Sequence, residues 1–225
     1  MIYICEYDDS VSSEILNQYA EQLPIPNYSG PACGVKWQKY RERILAWMLF
    51  RHVIGSEKMN RLDIQRTKYG KPYSAAEPEF YFNISHCEHA CACIISDAAC
   101  GVDVEKKFEM KENLIRKICH PEEFEMLNRL LPKEREQQMR FLWSLKESYV
   151  KMDGRGLGYG LNSVNLAEMF PMQADKVEVQ DNISYIAGEF ERYTLAGCMR
   201  KQTEIPVHVF SETELFGIIG GKDTL

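Results

Sequence analysis

The sequence predicts an α+β protein with a small antiparallel sheet in each half of the chain. Helical spacing followed by strand alternation occurs twice, before and after about residue 100, although no sequence repeat is visible. The 225 residues, 45% of them hydrophobic and 27% charged, suffice for a substantial core. These observations indicate an ordinary globular chain in which helices pack on small sheets.

The first half of the chain shows two helices and then a run of short strands. Ser12 or Ser13 can cap a helix that continues to about Leu23, before a connection rich in proline and glycine. A longer helix is predicted over 37–54 and ends before Gly55. Three strand-like runs follow, and we expect them to form one antiparallel meander: EFYFNIS, ACACIIS and GVDVE.

The second half repeats this order of elements. Pro121 suits the first turn of a helix, and a longer helix is predicted from about Lys133 to Met152, ending at Gly154. Alternating apolar and polar residues then predict strands in four segments: KVEVQ, SYIAGEF, YTLAGCM and PVHVF. Each half therefore contains helices that can cover one sheet.

Composition excludes several classes of protein. The net charge of −6 argues against broad nucleic-acid binding, although five basic residues against one acid between Lys36 and Arg51 favour an anionic ligand or partner. The apolar runs are too short for a membrane span, and the N-terminal MIYICEYDD is unlike a secretion signal, so we expect a cytoplasmic protein. In that compartment the eight cysteines are expected to be reduced.

Two acidic segments carry the chemistry. Asp103 and Glu105 lie two residues apart in a predicted strand and face the same side, where their charges repel unless water or a cation neutralises them. Glu147 and Lys151 lie one helical turn apart. Three carboxylates suit Mg²⁺, with the lysine beside it contacting a phosphate. Alternatively, Glu147 and Lys151 form an ordinary surface pair and the strand acids are simply solvated.

Two further segments are candidates for ligand contacts. In FNISHCEHA, Ser85 and His86 can donate hydrogen bonds to a phosphate or an adenine ring, or they are satisfied polar residues at a strand end. KYGKP is a turn with two lysines, or simply a solvated loop. A zinc site is also possible, but it is disfavoured because Cys91 and Cys93 would lie about 7 Å apart on one strand face. Its ligands would be Cys87, His89, Cys91 and Cys93.

The combination of segments resembles a known family. GVDVEK at 101–106 and WSLKESYVK at 143–151 resemble the paired motif of the Sfp-type 4'-phosphopantetheinyl transferase superfamily, with Cys100 in place of the usual Ile or Val. The resemblance extends to YGKP at 69–72, FNISH at 82–86 and GRGLG at 154–158. Each piece alone is a weak signal, whereas the pair at this spacing is specific.

The resemblance implies an activity and a fold. Such enzymes transfer the 4'-phosphopantetheine arm of coenzyme A to a serine of an apo acyl, peptidyl or aryl carrier protein and release adenosine 3',5'-bisphosphate. They serve fatty acid, polyketide or nonribosomal peptide synthesis, and the sequence does not choose among these pathways. The family fold implies a pseudo-twofold pair of α+β halves, here 1–100 and 101–225, with the active site in the cleft between them. Because each half covers the other, we expect a monomer.

The resemblance also implies roles for individual residues. Asp103, Glu105 and Glu147 would hold magnesium, while Glu147, as proton acceptor, and Lys151 would be the catalytic side chains. For the 3'-phosphate the sequence leaves Arg43 open, with Arg41 as the alternative. The residues expected to contact coenzyme A are Arg43, Lys71, Ser85, His86, Asp103, Lys146 and Lys151. Two other functions stay open: a metal-dependent phosphoester or nucleotide hydrolase with the same acidic centre, and a binding module without catalysis.

Overall fold

The computed structural model describes residues 1–7, 11–25, 34–156, 160–200 and 203–215, and it confirms the α+β class. In chain order its elements are β1 (Ile2–Glu6), α1 (Ser13–Ala20), α2 (Gly34–Ile54), α3 (Ser56–Arg61), β2 (Ile64–Arg66), β3 (Pro72–Ser74), β4 (Tyr81–His86), β5 (Ala90–Ser96), β6 (Cys100–Lys106), α4 (Glu112–Ile118), α5 (Pro121–Leu127), α6 (Pro132–Asp153), β7 (Glu178–Gln180), β8 (Ile183–Glu189), β9 (Tyr193–Arg200) and β10 (Val207–Ser211).

The helix ends follow local chemistry. The side chain of Ser12 accepts a hydrogen bond from the backbone N–H of Ile15 and so caps α1. Pro121 opens α5, where its missing N–H costs no hydrogen bond. Helix α6 ends at Gly154, whose φ of 81° lies in the left-handed region that glycine adopts without strain. Both long helices therefore agree with the prediction to within a few residues.

The first sheet packs against α2. Its strand order is β10-β1-β5-β4. Alternate side chains of β1 point to opposite faces, so that Cys5 joins the core under α2 while Ile2 and Ile4 face the second sheet. Helix α2 is buried continuously from Ile44 to Phe50. The predicted apolar face of this helix thus forms part of the hydrophobic core of the first half.

The second sheet packs against α6, in the order β6-β9-β8-β7, with every neighbouring pair antiparallel. The prediction that GVDVE continues the meander of β4 and β5 is therefore wrong. Strand β6 pairs with β9, and its residue Gly101 lies against the backbone of α6. Packing against this distant helix, rather than proximity in the sequence, decides which sheet β6 joins.

The two sheets pack face to face, and two of their edges meet. Val102 and Val104 of β6 bury their side chains against Ile2 and Ile4 of β1. At the meeting edges of β4 and β6, side chains replace a backbone ladder. The backbone N–H of Val102 donates a hydrogen bond to Asn83 Oδ1 at 3.0 Å. The backbone N–H of Val104 donates a second hydrogen bond to Ser85 Oγ at 3.2 Å. The polar residues of FNISH thus join the halves.

The last strand returns to the first half. β10 lies beyond the expected boundary at residue 100 but pairs with β1, in parallel, so the first sheet is not purely antiparallel. Next to it, Glu212 accepts a hydrogen bond from Arg41 Nη2 of α2 at 2.6 Å, with both side chains buried. Leu215 lies in the core beneath α2. The last described residues therefore contact both β1 and α2 and hold these two elements of the first half together.

None of the described helices combines the length and the apolar character that crossing a lipid bilayer requires.

Candidate active site

The acidic centre lies where α6 crosses β6. A Cβ placed on Gly101 would come within 2.0 Å of the carbonyl oxygen of Ser148, so only glycine allows this approach of strand and helix. Asp103 lies two residues further along β6 on the same face. Glu147 and Lys151 lie one turn apart on α6. The close crossing therefore brings the two predicted acidic segments together.

A hydrogen-bond network joins both halves at this point. Lys151 Nζ donates to Asp103 Oδ1 at 2.6 Å and to Ser85 Oγ at 2.8 Å. The hydroxyl of Ser85 lies 3.3 Å from Asp103 Oδ1, to which it donates. Ser85 is buried and already has these partners. Its hydroxyl thus orients the acidic centre from β4, and its predicted contact with coenzyme A stays a prediction.

The three carboxylates affect one another electrostatically. Burial and the neighbouring charges of Asp103 and Glu105, partly offset by Lys151, raise the pKa of Glu147 to about 7. Burial and the charge of Asp103 likewise raise the pKa of Glu105. Glu147 therefore gains or loses its proton near neutral pH, which is the range in which a carboxylate works well as a general base.

The donor set fits a hard divalent cation. Asp103 Oδ2 is buried and has no hydrogen-bond partner, and the two other acids are destabilised as anions by burial and mutual repulsion. Within the described part of the chain, however, no three His, Cys, Asp or Glu side chains are already grouped to hold a metal. The ammonium of Lys151 meanwhile neutralises Asp103. The carboxylates thus suit magnesium without forming a closed cage.

A basic groove begins beside this centre. Its volume is about 380 Å³, and its walls include Arg43, Arg66 and His86, with Trp47 and Gly70. The sequence reasoning missed Arg66, which occurs in a three-residue strand without a motif of its own. Burial and the nearby charge of Arg43 lower the pKa of Arg66, and both side chains line the groove. Two adjacent cations favour a phosphate between them.

A second depression, of about 410 Å³, connects the groove with the acids. It is lined by residues that include Lys39, Arg43, His86 and Glu105. Nδ1 of His86 lies 3.1 Å from Glu42 Oε2, so the imidazole is held in place from α2. A larger depression of about 880 Å³ lies elsewhere. This depression is unsuited to an anion, because the residues that line it include three carboxylates and no basic side chain. The lining residues are Glu77, Pro78, Glu79, Phe80, Ile95, Ser96 and Asp97.

The structure decides between the two arginines of α2. Arg41 is buried in its ion pair with Glu212, and its guanidinium lies 5.3 Å from the ring centre of Tyr7. Arg43 is exposed and lines both depressions. Residues two apart on a helix point to different sides, so only one of them can reach the groove. The guanidinium at the groove belongs to Arg43.

Two lysines predicted to contact the cofactor have other partners. Lys146 is fully buried and donates to Glu123 Oε2 at 2.6 Å and to the carbonyl oxygens of Ile118 and Leu161 at 2.9 and 3.1 Å. An ammonium has three donors, so none remains for a ligand. We therefore correct the prediction for Lys146, which is a core residue holding α6 in place.

Lys71 is the second of these lysines. Its ammonium donates to the carbonyl oxygens of Met152 at 2.9 Å and of Cys100 at 3.4 Å, and burial lowers its pKa. It therefore links the end of α6 to the start of β6, and its predicted contact with coenzyme A stays a prediction. In GRGLG, residues 157 and 158 lie outside the described residues, as does most of the proline-rich connection before α2.

Three cysteines of the alternative zinc site lie buried in the core. Cys87, Cys91 and Cys93 are buried free thiols, and the described residues contain no group of ligands around them. Burial raises the pKa of Cys87 to about 11. A protonated thiol is a poor metal ligand, so these cysteines serve the core.

The fold and the site define a class of protein: a two-sheet α+β chain with an acidic centre and a basic groove where its halves meet. Residues 99–207, nearly half of the chain, match the family model described as the 4'-phosphopantetheinyl transferase superfamily. Among the relatives is the "4'-phosphopantetheinyl transferase Sfp" of Bacillus subtilis (strain 168), 30% identical over 129 residues, which are 55% of this chain and 56% of the relative.

Two other relatives show the breadth of the likeness. A "4'-phosphopantetheinyl transferase" of Bacillus subtilis is 33% identical over 99 residues, 44% of each chain. The "L-aminoadipate-semialdehyde dehydrogenase-phosphopantetheinyl transferase" of Mus musculus is 27% identical over 172 residues, 66% of this chain and 54% of the relative. The chain spans about half the length of the curated relatives it matches. These findings confirm the resemblance seen in the paired motif: residues 99–207 are similar to the 4'-phosphopantetheinyl transferase superfamily.

Proposed function

We propose that this protein transfers the 4'-phosphopantetheine arm of coenzyme A to a serine of an apo carrier protein and releases adenosine 3',5'-bisphosphate. The observation that carries the proposal is the meeting of Asp103, Glu105 and Glu147 with Lys151, beside a groove lined by Arg43 and Arg66. A pyrophosphate needs cations on its oxygens, and a serine nucleophile needs a base. Both types of group are present here.

The groove suits the nucleotide end of coenzyme A. Arg43, Arg66 and His86 supply donors for a phosphate, and Trp47 and Ile84 supply apolar surface for a ring. From this groove the depression at Glu105 leads toward the acids. The proposed pose therefore has the adenosine bisphosphate between α2 and β2 and the reacting phosphate near Lys151.

The reacting groups divide the chemistry. Lys151 supplies positive charge to the phosphate that is attacked. Glu147 accepts the serine proton as the new P–O bond forms, and the bond from that phosphorus to the bridging oxygen breaks, so that adenosine 3',5'-bisphosphate leaves with this oxygen. Ser85 hydrogen-bonds to both Lys151 and Asp103 and so fixes their positions relative to each other. Asp103, Glu105 and Glu147 would hold magnesium, which when bound supplies positive charge to the pyrophosphate oxygens. In this proposal the protein works as a monomer, and the reacting groups lie in the cleft between its two halves.

The direct test uses mass spectrometry. Purified protein is incubated with coenzyme A, Mg²⁺ and a panel of apo acyl, peptidyl and aryl carrier proteins. We expect at least one carrier to gain the mass of the phosphopantetheine arm. Asp103→Asn and Glu147→Gln should lose at least about 100-fold in rate, since each removes a charge aimed at the reacting centre. Glu125→Gln, at an exposed acid paired with Arg129, is the matched control and should keep the rate.

The same experiment separates the alternative functions. A hydrolase would release adenosine 3',5'-bisphosphate from coenzyme A without any carrier. A binding module would modify no carrier and would be insensitive to Glu147→Gln. Unmodified carriers across the whole panel, or full transfer by Asp103→Asn, would overturn the proposal.

A further inference from the structure

Thr194 lies next to the acidic centre but belongs to neither motif. In the antiparallel pairing of β6 with β9, it is directly opposite Glu105, and Ala196 is opposite Asp103. Directly opposite side chains point to the same face of a sheet. This is the face on which Gly101 meets α6. The Thr194 side chain therefore shares the surface on which the acids are displayed.

The hydroxyl of Thr194 has no partner of its own. Thr194 is 2% exposed, and its Oγ1 is among the few buried side-chain polar atoms of the described residues that lack a hydrogen bond. An unpaired buried hydroxyl destabilises the fold, because it gives up its hydrogen bonds to water and gains none in the protein. Valine has nearly the same shape and would fill this strand position without that cost. The hydroxyl therefore calls for a role beyond packing.

The nearest groups point to that role. Side chains directly opposite on a sheet have Cβ atoms about 5 Å apart, within reach of a hydrogen bond between a hydroxyl and a carboxylate. The diagonal neighbour is Asp103, whose Oδ2 is also buried without a partner. Carboxylates that bind a metal are themselves usually hydrogen-bonded by outer neighbours, which orient them. A hydroxyl is also a donor that introduces no competing charge.

We propose that Thr194 Oγ1 donates a hydrogen bond to the carboxylate of Glu105 when the acids bind a divalent cation, and so acts as a positioning residue for that site. This inference rests on the proposed function, because it requires Glu105 to be a metal ligand. It assigns to β9 a part in the site that the paired motif does not contain.

The test measures metal binding without any catalysis. Wild-type protein, Thr194→Val and Thr194→Ser are freed of metal and titrated with Mn²⁺ alone, and the free ion is followed by electron paramagnetic resonance. Glu105→Gln is included to show that the ion binds at the acidic centre. We expect Thr194→Val to weaken Mn²⁺ binding about tenfold. Thr194→Ser, which keeps the hydroxyl, should bind as the wild type does.

A second measurement separates positioning from packing. Without metal, Thr194→Val should be at least as stable to urea as the wild type, because an unpaired hydroxyl has been removed. With saturating Mn²⁺ it should gain less stability than the wild type. A purely structural threonine would instead lower stability equally with and without the ion, and that result would overturn the inference.

The outcomes distinguish this inference from the function on which it rests. If wild-type protein binds Mn²⁺ and Glu105→Gln does not, while Thr194→Val binds like the wild type, only the role of Thr194 is wrong. Weak binding by both Thr194→Ser and Thr194→Val would also count against the hydroxyl. If wild-type protein binds no Mn²⁺, the metal site in the proposed function is wrong, and the inference is wrong with it.

Discussion

At the residue scale, two adjacent side chains of one motif lie in different environments. Lys146 and Glu147 are neighbours on α6, but one step along a helix turns the side chain by about 100°. Lys146 therefore enters the core and pairs with Glu123, whereas Glu147 faces the acids of β6. Breaking a buried pair such as Lys146 with Glu123 is strongly destabilising. Lys146 therefore stabilises the packing of α6, whereas Glu147 belongs to the acidic centre.

The raised pKa of Glu147 predicts a pH effect on stability. In the folded protein without metal this pKa lies near 7, above the ordinary value of 4.5. The folded state thus holds the proton more tightly than the unfolded chain does. The contribution of Glu147 to stability is fully present below about pH 4.5 and is lost as the pH rises through about 7. Glu147→Gln should remove this loss, as urea unfolding in EDTA between pH 4.5 and 8 would show.

Glu88 provides the control for that experiment. Its pKa is lowered by the hydrogen bond and charge of Lys106, so its contribution to stability has the opposite sign and is lost as the pH falls. Glu88→Gln should therefore leave the loss between pH 4.5 and 8 unchanged. Equal pH profiles for wild type and Glu147→Gln would show that Glu147 ionises normally.

At the element scale, one glycine determines the distance between β6 and α6. Asp103 and Glu105 lie on the strand, while Glu147 and Lys151 lie on the helix, so the spacing of these two elements sets the geometry of the site. A Cβ at position 101 would meet backbone atoms of Ser148 and Met152, at 2.0 and 2.6 Å. Backbone in a helix cannot move aside without moving the whole helix.

We therefore expect Gly101→Ala to damage both stability and function. Overpacking typically costs about 1–3 kcal/mol, and displacing α6 would also separate Lys151 from Asp103. Urea unfolding and the carrier-transfer rate measure the two effects. Gly188→Ala is the matched control in β8, where the added Cβ would lie 2.8 Å from the flexible carboxylate end of Asp175. If both variants behave alike, the tight crossing at Gly101 is unimportant.

At the scale of the whole molecule, the site depends on how the halves are joined. Asn83 and Ser85 of β4 satisfy the backbone of β6, and the ammonium of Lys71 binds the carbonyl oxygens of Cys100 and Met152. Hydrogen bonds between the halves therefore surround the acidic centre. The returning strand β10 and the pair of Arg41 with Glu212 hold α2 against the first sheet. In this way they also hold Arg43 at the groove.

The return of the chain can be tested through Glu212. Glu212→Ala removes a carboxylate 2.6 Å from the buried guanidinium of Arg41. Removing one member of a buried pair typically costs about 3–5 kcal/mol, which we expect in the free energy of urea unfolding. Glu88→Ala removes one member of an exposed pair with Lys106 and should cost much less stability. Similar losses in the two variants would contradict the clamping role of Glu212.

Much of the fold was predictable, because helix and strand periodicity is local. The long helices, the last four strands and the α+β class follow from spacing and end signals alone. The assignment of β6 to the second sheet was missed, since strand pairing depends on which distant surface a strand covers. The parallel return of β10 was missed for the same reason. Neither has a local signature.

By itself, the sequence determined the resemblance to a family, the acidic segments and the residues able to carry charge, because a side chain's chemistry and its period along an element are local properties. Only the tertiary structure decided that Arg43 and not Arg41 lines the groove, that Lys146 and Lys71 bind the protein itself, and that Arg66 and Thr194 lie near the site. The physical reason is that exposure and hydrogen-bond partners are set by contacts between residues far apart in the chain, on which spacing within a motif carries no information.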